Sequence, residues 1–306
     1  MPKIVITGAS GFVGRQCVPL LLARGYEIHA IGRTQQHPPE WESVLWHEAD
    51  LLQPGAPTRL ILDLRAEYLL HLAWSPAVPG QFWNAPDNLG WARASLELFE
   101  AFARSGGRRV VATGSCAEYG QVTGECDETT TRLNPTTLYG ICKHAVQTVA
   151  SAWCEKANLS FAWARLFYLF GPYENPMRVI PYVTRSLLKQ EPALCSSGRQ
   201  ELDYLYIKDA ASALVSLLES SVEGAVNIGS GKPISLRHLL EGLGKTLGHP
   251  HLIRFGERSS PETAESFWAN TARLRNEVGW NPQYDLDSAI RETIAWWQQQ
   301  DHLAKI

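Results

Sequence analysis

The stretch Thr7-Gly8-Ala9-Ser10-Gly11-Phe12-Val13-Gly14 constrains this chain more than any other. It follows the short β-branched run Lys3-Ile4-Val5-Ile6 and leads into Cys17-Val18-Pro19-Leu20-Leu21-Leu22, so it reads as strand, turn and helix. Without a Cβ, Gly8 can turn sharply, Gly11 can let backbone N–H groups approach a pyrophosphate, and Gly14 can let the helix pack close to the strand. The anion then lies at the positive end of the helix. Three glycines alone are weak evidence; the strand before them and the helix after are the context dinucleotide binding requires. Pro19 removes one N–H from the helix interior and is expected to bend it.

The following residues alternate between strand and helix patterns. Tyr26 to Ile31 reads as a second strand ending at Gly32-Arg33. An NAD-selective site carries an acidic residue there to accept hydrogen bonds from the ribose, whereas arginine pairs with a 2′-phosphate. Gly32 and Arg33 therefore favour NADP over NAD, a solvated surface arginine being the alternative. Val44-Leu45-Trp46 reads as a third strand closed by Ala49-Asp50-Leu51, and Tyr68 to Ala73 as a fourth. Asp50 either meets the adenine amino group or is a plain loop residue. With helical segments such as Thr58 to Leu64 between strands, the pattern predicts right-handed βαβ units and a parallel sheet.

The loop Trp74 to Pro86 carries Trp74, Phe82 and Trp83 after the fourth strand, where loops of open α/β sheets line ligand clefts. A helix from Asp87 to Arg104 follows, with Leu89, Ala92, Leu96, Phe99 and Ala103 on one face and Asn88 in its first turn. Arg109 to Thr113 is a fifth strand that runs into Gly114-Ser115-Cys116-Ala117-Glu118-Tyr119-Gly120. Tyr139 and Lys143 share a face of the next helix, which continues to Lys156, and Ser160 to Leu166 is a sixth strand.

Beyond residue 170 the alternation loosens. Helices are expected over 179–189, 209–219, 236–247 behind the N-cap Ser235, and 287–300, with strands at 202–206 and 225–228. The predicted architecture is an α/β, Rossmann-type doubly wound parallel sheet over residues 1–170. A smaller C-terminal substrate-binding lobe covers 171–306, with segments near 202–230 returning to the sheet.

Composition excludes several partners. The formal net charge of −3 and the lack of any lysine or arginine run speak against nucleic acid and anionic membranes. No apolar stretch approaches the ~20 residues of a membrane span, and the chain enters a strand without a basic leader, so a cytoplasmic location is expected. Six cysteines without a CxxC pair read as reduced thiols, and no metal site is expected.

Tyr139 and Lys143 offer acid/base chemistry. A tyrosine has an unperturbed pKa of about 10, and an ammonium one helical turn away favours the phenolate. Ser115, at the end of a central strand, can hydrogen-bond the same substrate oxygen. Together they suit interconversion of a carbonyl and an alcohol beside a nicotinamide.

With these motifs the chain resembles, over nearly its whole length, the extended short-chain dehydrogenase/reductases, the nucleotide-sugar epimerase/dehydratase group. The resemblance rests on Gly8, Gly11 and Gly14, on Asp50-Leu51, His71-Leu72-Ala73, and Ser115 four residues before Tyr119-Gly120. It also rests on Tyr139 and Lys143, Arg165-Leu166-Phe167 with Gly171-Pro172, Asn227 to Gly231, and Gly279-Trp280-Asn281-Pro282. It implies that Tyr139 is the general acid/base, that Lys143 lowers its pKa and holds the nicotinamide ribose, that Ser115 positions the reacting oxygen, and that Asn88 relays protons. It implies cofactor contacts from Gly8, Ser10, Gly11, Phe12, Val13, Gly14, Arg33, Asp50, Leu51, Leu72, Ala73, Trp74, Thr113, Tyr139, Lys143 and Phe167. Substrate contacts are expected from Trp74, Trp83, Ser115, Cys116, Ala117, Tyr168, Arg178, Arg199 and Arg258, with a nucleotide sugar as substrate and a homodimer formed through the two long helices.

Cys116 and Ala117 stand where sugar-nucleotide 4,6-dehydratases of this group carry an Asp-Glu pair, which speaks against dehydration. Gly32-Arg33 speaks against the 4-epimerases, which retain NAD. The reading that remains is NADPH-dependent reduction, as in reductases of nucleotide-linked 4-keto-6-deoxy sugars such as CDP-abequose synthase-like proteins. An NAD-dependent 4-epimerase is the alternative; a dinucleotide-binding sensor without turnover is a second one, against which the intact Ser115, Tyr139 and Lys143 argue. Cys116 and Cys142 adjoin the proposed catalytic residues, so a thiol reagent is expected to inactivate. Leu202 before Asp203, where arginine is common in the group, and Tyr168, where asparagine is common, are departures in the substrate region.

Overall fold

The computed structural model describes residues 1–33, 41–74, 82–259 and 266–303. In chain order its first part comprises β1 (Lys3–Thr7), α1 (Gly14–Ala23), β2 (Glu27–Gly32), β3 (Leu45–Glu48), α2 (Ala56–Leu64), β4 (Tyr68–His71), α3 (Asp87–Arg104), β5 (Arg109–Ser115), β6 (Gly124–Cys126), α4 (Leu138–Lys156) and β7 (Ser160–Leu166). There follow β8 (Tyr168–Phe170), α5 (Val179–Leu188), β9 (Ala193–Cys195), β10 (Glu201–Tyr206), α6 (Ile207–Glu219), β11 (Gly224–Ile228), β12 (Pro233–Ser235) and α7 (Leu236–Leu247). The chain closes with β13 (Ile253–Phe255), β14 (Ser266–Ala269), α8 (Ala272–Asn276) and α9 (Leu286–Leu303).

Seven described strands form a parallel sheet in the order β11-β7-β5-β4-β1-β2-β3. This is the Rossmann-type doubly wound arrangement, and the order reverses between β1 and β4, where such sheets bind ligands beyond the strands' carboxyl ends. The central strands are apolar on both faces because helices cover both. Ile4, Ile6, Ile28 and Ala30 pack with residues of α1 and α6, whereas Val5, Ile31, Leu69 and Val110 pack with residues of α2, α3 and α4. β11 joins the far edge of this sheet beside β7.

The second sheet, in the order β12-β10-β14-β6 with β8 also paired to β10, is gathered from distant segments. A separate apolar cluster lies among α5, α7 and α9. Ser235 caps α7 as expected, its hydroxyl accepting the His238 N–H at 3.1 Å. α1 runs through Pro19 without interruption; the absent N–H touches only the Arg15 carbonyl of the first turn. α3 is turned from its expected orientation. Trp91, Ala94, Leu98, Phe99 and Phe102 face the sheet, whereas Leu89 is exposed, because the packing against α2 and α4 on either side selects the buried stripe. Among the described residues no helix is long and apolar enough to cross a membrane, and no cluster of three metal-ligating side chains occurs.

Candidate active site

Pairing of β1 with β4 sets Thr7 opposite His71. The Thr7 hydroxyl donates to His71 Nδ1 at 2.7 Å, and His71 Nε2 donates to Ser95 Oγ at 2.9 Å, since Ser95 itself donates to the Trp91 carbonyl at 2.8 Å. Burial, aided by the Lys143 charge, pushes His71 down to about 3, so the ring is neutral. Thr7 Oγ1 also accepts the Ala73 N–H at 3.3 Å.

These bonds draw the β4 end against the glycine turn, where Gly8 has φ +73° and a Cβ would stand 2.8 Å from Ala73 N. A Cβ on Gly14 would stand 2.2 Å from the Gly8 carbonyl oxygen. α1 begins without a side-chain cap, and among the described residues no acceptor answers the N–H groups of Phe12 and Val13. Open donors at a helix N-terminus, in a cradle that Cβ atoms would fill, fit a dinucleotide pyrophosphate. Ser10 lies on this turn, its carbonyl accepting from Arg15 Nε at 2.9 Å. Arg33 is exposed at the end of β2 and lines a cavity of about 650 Å³ with Glu48, Ala49, Asp50, Gln53 and Ala56. Asp50 Oδ1 accepts the Leu52 N–H at 3.0 Å, and Leu51 is buried beneath.

β5 carries Ser115 to the same sheet edge. Ser115 Oγ accepts the Ala117 N–H at 3.2 Å, which leaves the hydroxyl hydrogen to be donated elsewhere. Thr137 caps α4 by accepting the Gly140 N–H at 3.1 Å, which sets Tyr139 in the first turn, where the Ser115 side chain draws the pKa of its phenol down. α4 approaches so closely that a Cβ on Gly140 would stand 2.6 Å from the Ala117 carbonyl oxygen. The rings of Phe82, Trp83 and Trp74 lie 4.3, 5.7 and 6.1 Å from that of Tyr139, centroid to centroid.

Lys143 and Asn88 make the following contacts. Burial pushes the Tyr139 phenol well above its ordinary value, and the groups drawing it down are Ser115 and Arg178. The Lys143 ammonium instead donates to the Thr113 carbonyl at 2.6 Å and lies 4.0 Å from the Trp74 ring, against 5.9 Å from that of Tyr139. Its own pKa is pushed down to about 7 by burial. Asn88 is buried with both amide hydrogens taken by the carbonyls of Phe82 and Ala85, while Oδ1 accepts from Trp74 Nε1 at 2.9 Å. It ties Trp74 to Phe82 and Ala85, with both amide hydrogens engaged.

The remaining candidates separate. Cys116 and Cys142 are buried, and burial pushes both thiols up. This reverses the expectation of ready inactivation: a maleimide should label them slowly in the native protein and readily after denaturation, and prompt native labelling of either would contradict the packing. Phe167 is buried against Tyr119 and Phe267, and Tyr168 packs on Tyr204 and Phe267. Leu202 is buried in the same cluster, while Asp203 accepts the N–H groups of Ser230, Gly231 and Ala269 and so holds the 229–231 loop. Arg178, exposed at the start of α5, acts on Tyr139. Arg199 is exposed before β10, and Arg258 sits beside Cys195, whose carbonyl accepts its N–H at 3.1 Å.

Sequence reasoning overlooked Phe82 as the nearest ring to Tyr139, and passed over Glu118. Glu118 shares its carboxylate among Ser115, Trp163 and Arg165. Only its spacing after Ser115, a capping-box pattern, hinted at that.

Comparison with known proteins identifies the family. A dTDP-6-deoxy-L-talose 4-dehydrogenase (NAD(+)) of Aggregatibacter actinomycetemcomitans is 28% identical over 243 residues, 78% of this chain and 88% of the relative. A UDP-glucose 4-epimerase of Corynebacterium glutamicum is 24% identical over 96% of this chain and 95% of its own. Among solved structures, a UDP-N-acetylglucosamine 4-epimerase from Methanobrevibacter ruminantium, in complex with UDP-N-acetylmuramic acid, superposes with a TM-score of 0.86 at 23% identity, covering 98% of this chain and 99% of that one. The model of the NAD dependent epimerase/dehydratase family matches residues 4–229. With that match across most of its length, the chain belongs to the NAD dependent epimerase/dehydratase family, within the extended short-chain dehydrogenase/reductases.

Proposed function

We propose that the chain reduces the keto group of a nucleotide-linked 4-keto-6-deoxy sugar to an alcohol, with NADPH as reductant and Tyr139 as proton donor. The observation that carries this reading is the Tyr139 phenol itself. Held above its ordinary pKa by burial and facing Ser115, it keeps its proton at neutral pH and has it ready for an oxygen becoming an alkoxide. The buried, raised Cys116 offers no base for eliminating water. A relative that is a nucleotide-sugar 4-dehydrogenase supports chemistry at C4.

The glycine turn, Arg33 and Lys143 would hold the dinucleotide, which when bound supplies hydride to the carbonyl carbon. Ser115, which accepts the Ala117 N–H through one of its two lone pairs, keeps its hydroxyl hydrogen to donate to the same oxygen that Tyr139 protonates. Phe82, Trp83 and Trp74 pack around the Tyr139 ring and hold it in place. Asn88 keeps Trp74 in place, and Trp74 in turn covers Lys143. A homodimer through α3 and α4 fits the exposed Leu89, Ile141 and Val149, and sedimentation equilibrium would show it as twice 34.1 kDa.

The deciding experiment follows loss of reduced-nicotinamide absorbance, with NADPH and NADH in parallel, on 4-keto-6-deoxyglucose linked to dTDP, CDP, GDP or UDP. Stoichiometric oxidation with one of them is expected. The second reading, an NAD-dependent 4-epimerase, is favoured by the several relatives of that name. It takes precedence if no ketosugar oxidises NADPH and UDP-galactose is converted to UDP-glucose.

Cofactor choice has its own test. Arg33→Ala should weaken NADPH binding roughly tenfold or more, the loss of a charge-assisted hydrogen bond, and leave NADH nearly unchanged. Equal losses by fluorescence titration would refute a 2′-phosphate contact.

A further inference from the structure

Arg15 is the first residue after the glycine turn, and its backbone and side chain both reach back into it. Its backbone N–H donates to the Gly11 carbonyl at 3.0 Å, and its Nε donates to the Ser10 carbonyl at 2.9 Å. The peptide between Ser10 and Gly11 is planar and trans, so its carbonyl and its N–H point opposite ways. Arg15 holds one end of it, and the Gly8 carbonyl holds the other by accepting the Gly11 N–H at 3.0 Å. The next peptides carry the Phe12 and Val13 N–H groups, the open donors of the cradle. Fixing the Ser10–Gly11 plane therefore constrains the direction in which those donors meet an anion.

Helix stability does not explain an arginine at this position. α1 begins at Gly14 and has no acidic residue in its first turn. A cation in that turn opposes the helix dipole and favours an anion beyond it. Among the described residues no carboxylate pairs with the guanidinium; it lies over a ring instead. Its carbon is 4.7 Å from the centroid of Tyr173 and 6.0 Å from that of the buried Trp41, within the range of cation–π contacts.

Tyr173 lies in the turn between β8 and α5 with φ +69°, a left-handed conformation that residues with a Cβ seldom adopt. Its ring is 4.7 Å from that of Trp296 on α9, and Trp296 in turn packs at 4.7 Å on the buried Trp297. A path of direct contacts thus runs from α9 through Tyr173 and Arg15 to the Ser10 carbonyl. We propose that Arg15 is a positioning residue for the dinucleotide pyrophosphate, and that Tyr173, backed by Trp296, holds its guanidinium in place. The assignment rests on dinucleotide binding at the glycine turn.

The test is calorimetric titration of ADP-ribose, which carries the pyrophosphate without a nicotinamide, with urea denaturation of each unliganded variant alongside. Arg15→Met should bind roughly tenfold more weakly, the lower end for a hydrogen bond from a charged donor. Its urea midpoint should stay close to that of wild type, because losing the bond and relieving the helix dipole act in opposite directions. Arg15→Lys keeps the charge but not the planar fork, and should remain roughly fivefold weaker than wild type. Tyr173→Leu keeps the Cβ and removes the ring, and should lose roughly three- to fivefold. Tyr173→Phe keeps the ring and should match wild type. The double variant Arg15→Met/Tyr173→Leu should be no weaker than Arg15→Met, because Tyr173 acts through Arg15.

Wild-type affinity in Arg15→Met would overturn the assignment. Wild-type affinity in Arg15→Lys would overturn it too, since charge alone would then suffice. An Arg15→Met protein that is strongly destabilised would make the role one of folding and overturn it as well. Additive losses in the double variant, or equal affinities of Tyr173→Leu and Tyr173→Phe, would sever Tyr173 from Arg15. A wild type that does not bind ADP-ribose would overturn dinucleotide binding at the turn, and this role with it.

Discussion

Tyr139→Phe should lower turnover by roughly 10²- to 10⁴-fold, the usual worth of a positioned general acid, while NADPH affinity stays near wild type. The substitution removes one oxygen and its proton but keeps the ring that packs on Phe82 and Trp83. It leaves the glycine turn, Arg33 and the Lys143–Thr113 bond untouched. Under the proposed mechanism Ser115 would still donate to the reacting oxygen but could not replace the proton delivered. Steady-state rates with fluorescence titration of NADPH separate the two effects. Residual turnover within tenfold of wild type would remove Tyr139 from the mechanism.

Glu118→Leu should destabilise the fold by about 3–5 kcal/mol, the cost of breaking a buried ion pair from one side. Glu118 is 0% exposed and Arg165 is 1% exposed, and Arg165 Nε donates to Glu118 Oε2 at 3.0 Å. Glu118 Oε1 accepts from the Ser115 N–H at 2.8 Å and from Trp163 Nε1 at 2.9 Å. The arrangement is so close that a Cβ on Gly114 would stand 2.2 Å from Trp163 Nε1 and 2.4 Å from Glu118 Oε1. Removing the carboxylate leaves a guanidinium and two N–H groups without their acceptor. Adding Arg165→Met should recover much of the loss, because the uncompensated charge is then gone as well. Urea denaturation of the single and double variants measures both; a single-variant loss below about 1 kcal/mol would contradict the account.

Local patterns were the legible part of this protein. The strand–turn–helix at Gly8–Gly14 depends on neighbours a few residues apart, as do the caps Thr137 and Ser235 and the one-turn spacing of Tyr139 and Lys143. The strands of the large sheet and most of its helices could therefore be read to within a few residues, whereas the three- and four-residue strands β6, β8, β9, β12, β13 and β14 were not read, being too short to show a period of their own. The buried face of α3 was not read either, because its repeat admits more than one apolar stripe and the choice among them lies with α2, α4 and the sheet.

Proximity across long separations was not legible. Lys143 stands one turn from Tyr139 on its helix, yet its ammonium goes to the carbonyl of Thr113, thirty residues earlier, because β5 and α4 pack together. Asn88 looks like a cap residue until Trp74, fourteen positions before it, arrives as a donor. The glycine spacing and the Ser115, Tyr139 and Lys143 set pointed to the family, since each is a matter of residue type and local period. Which protons are free and which charges are paired were decided only by the tertiary structure. Burial and the reach of side chains exist only once strands and helices far apart in sequence have been packed together.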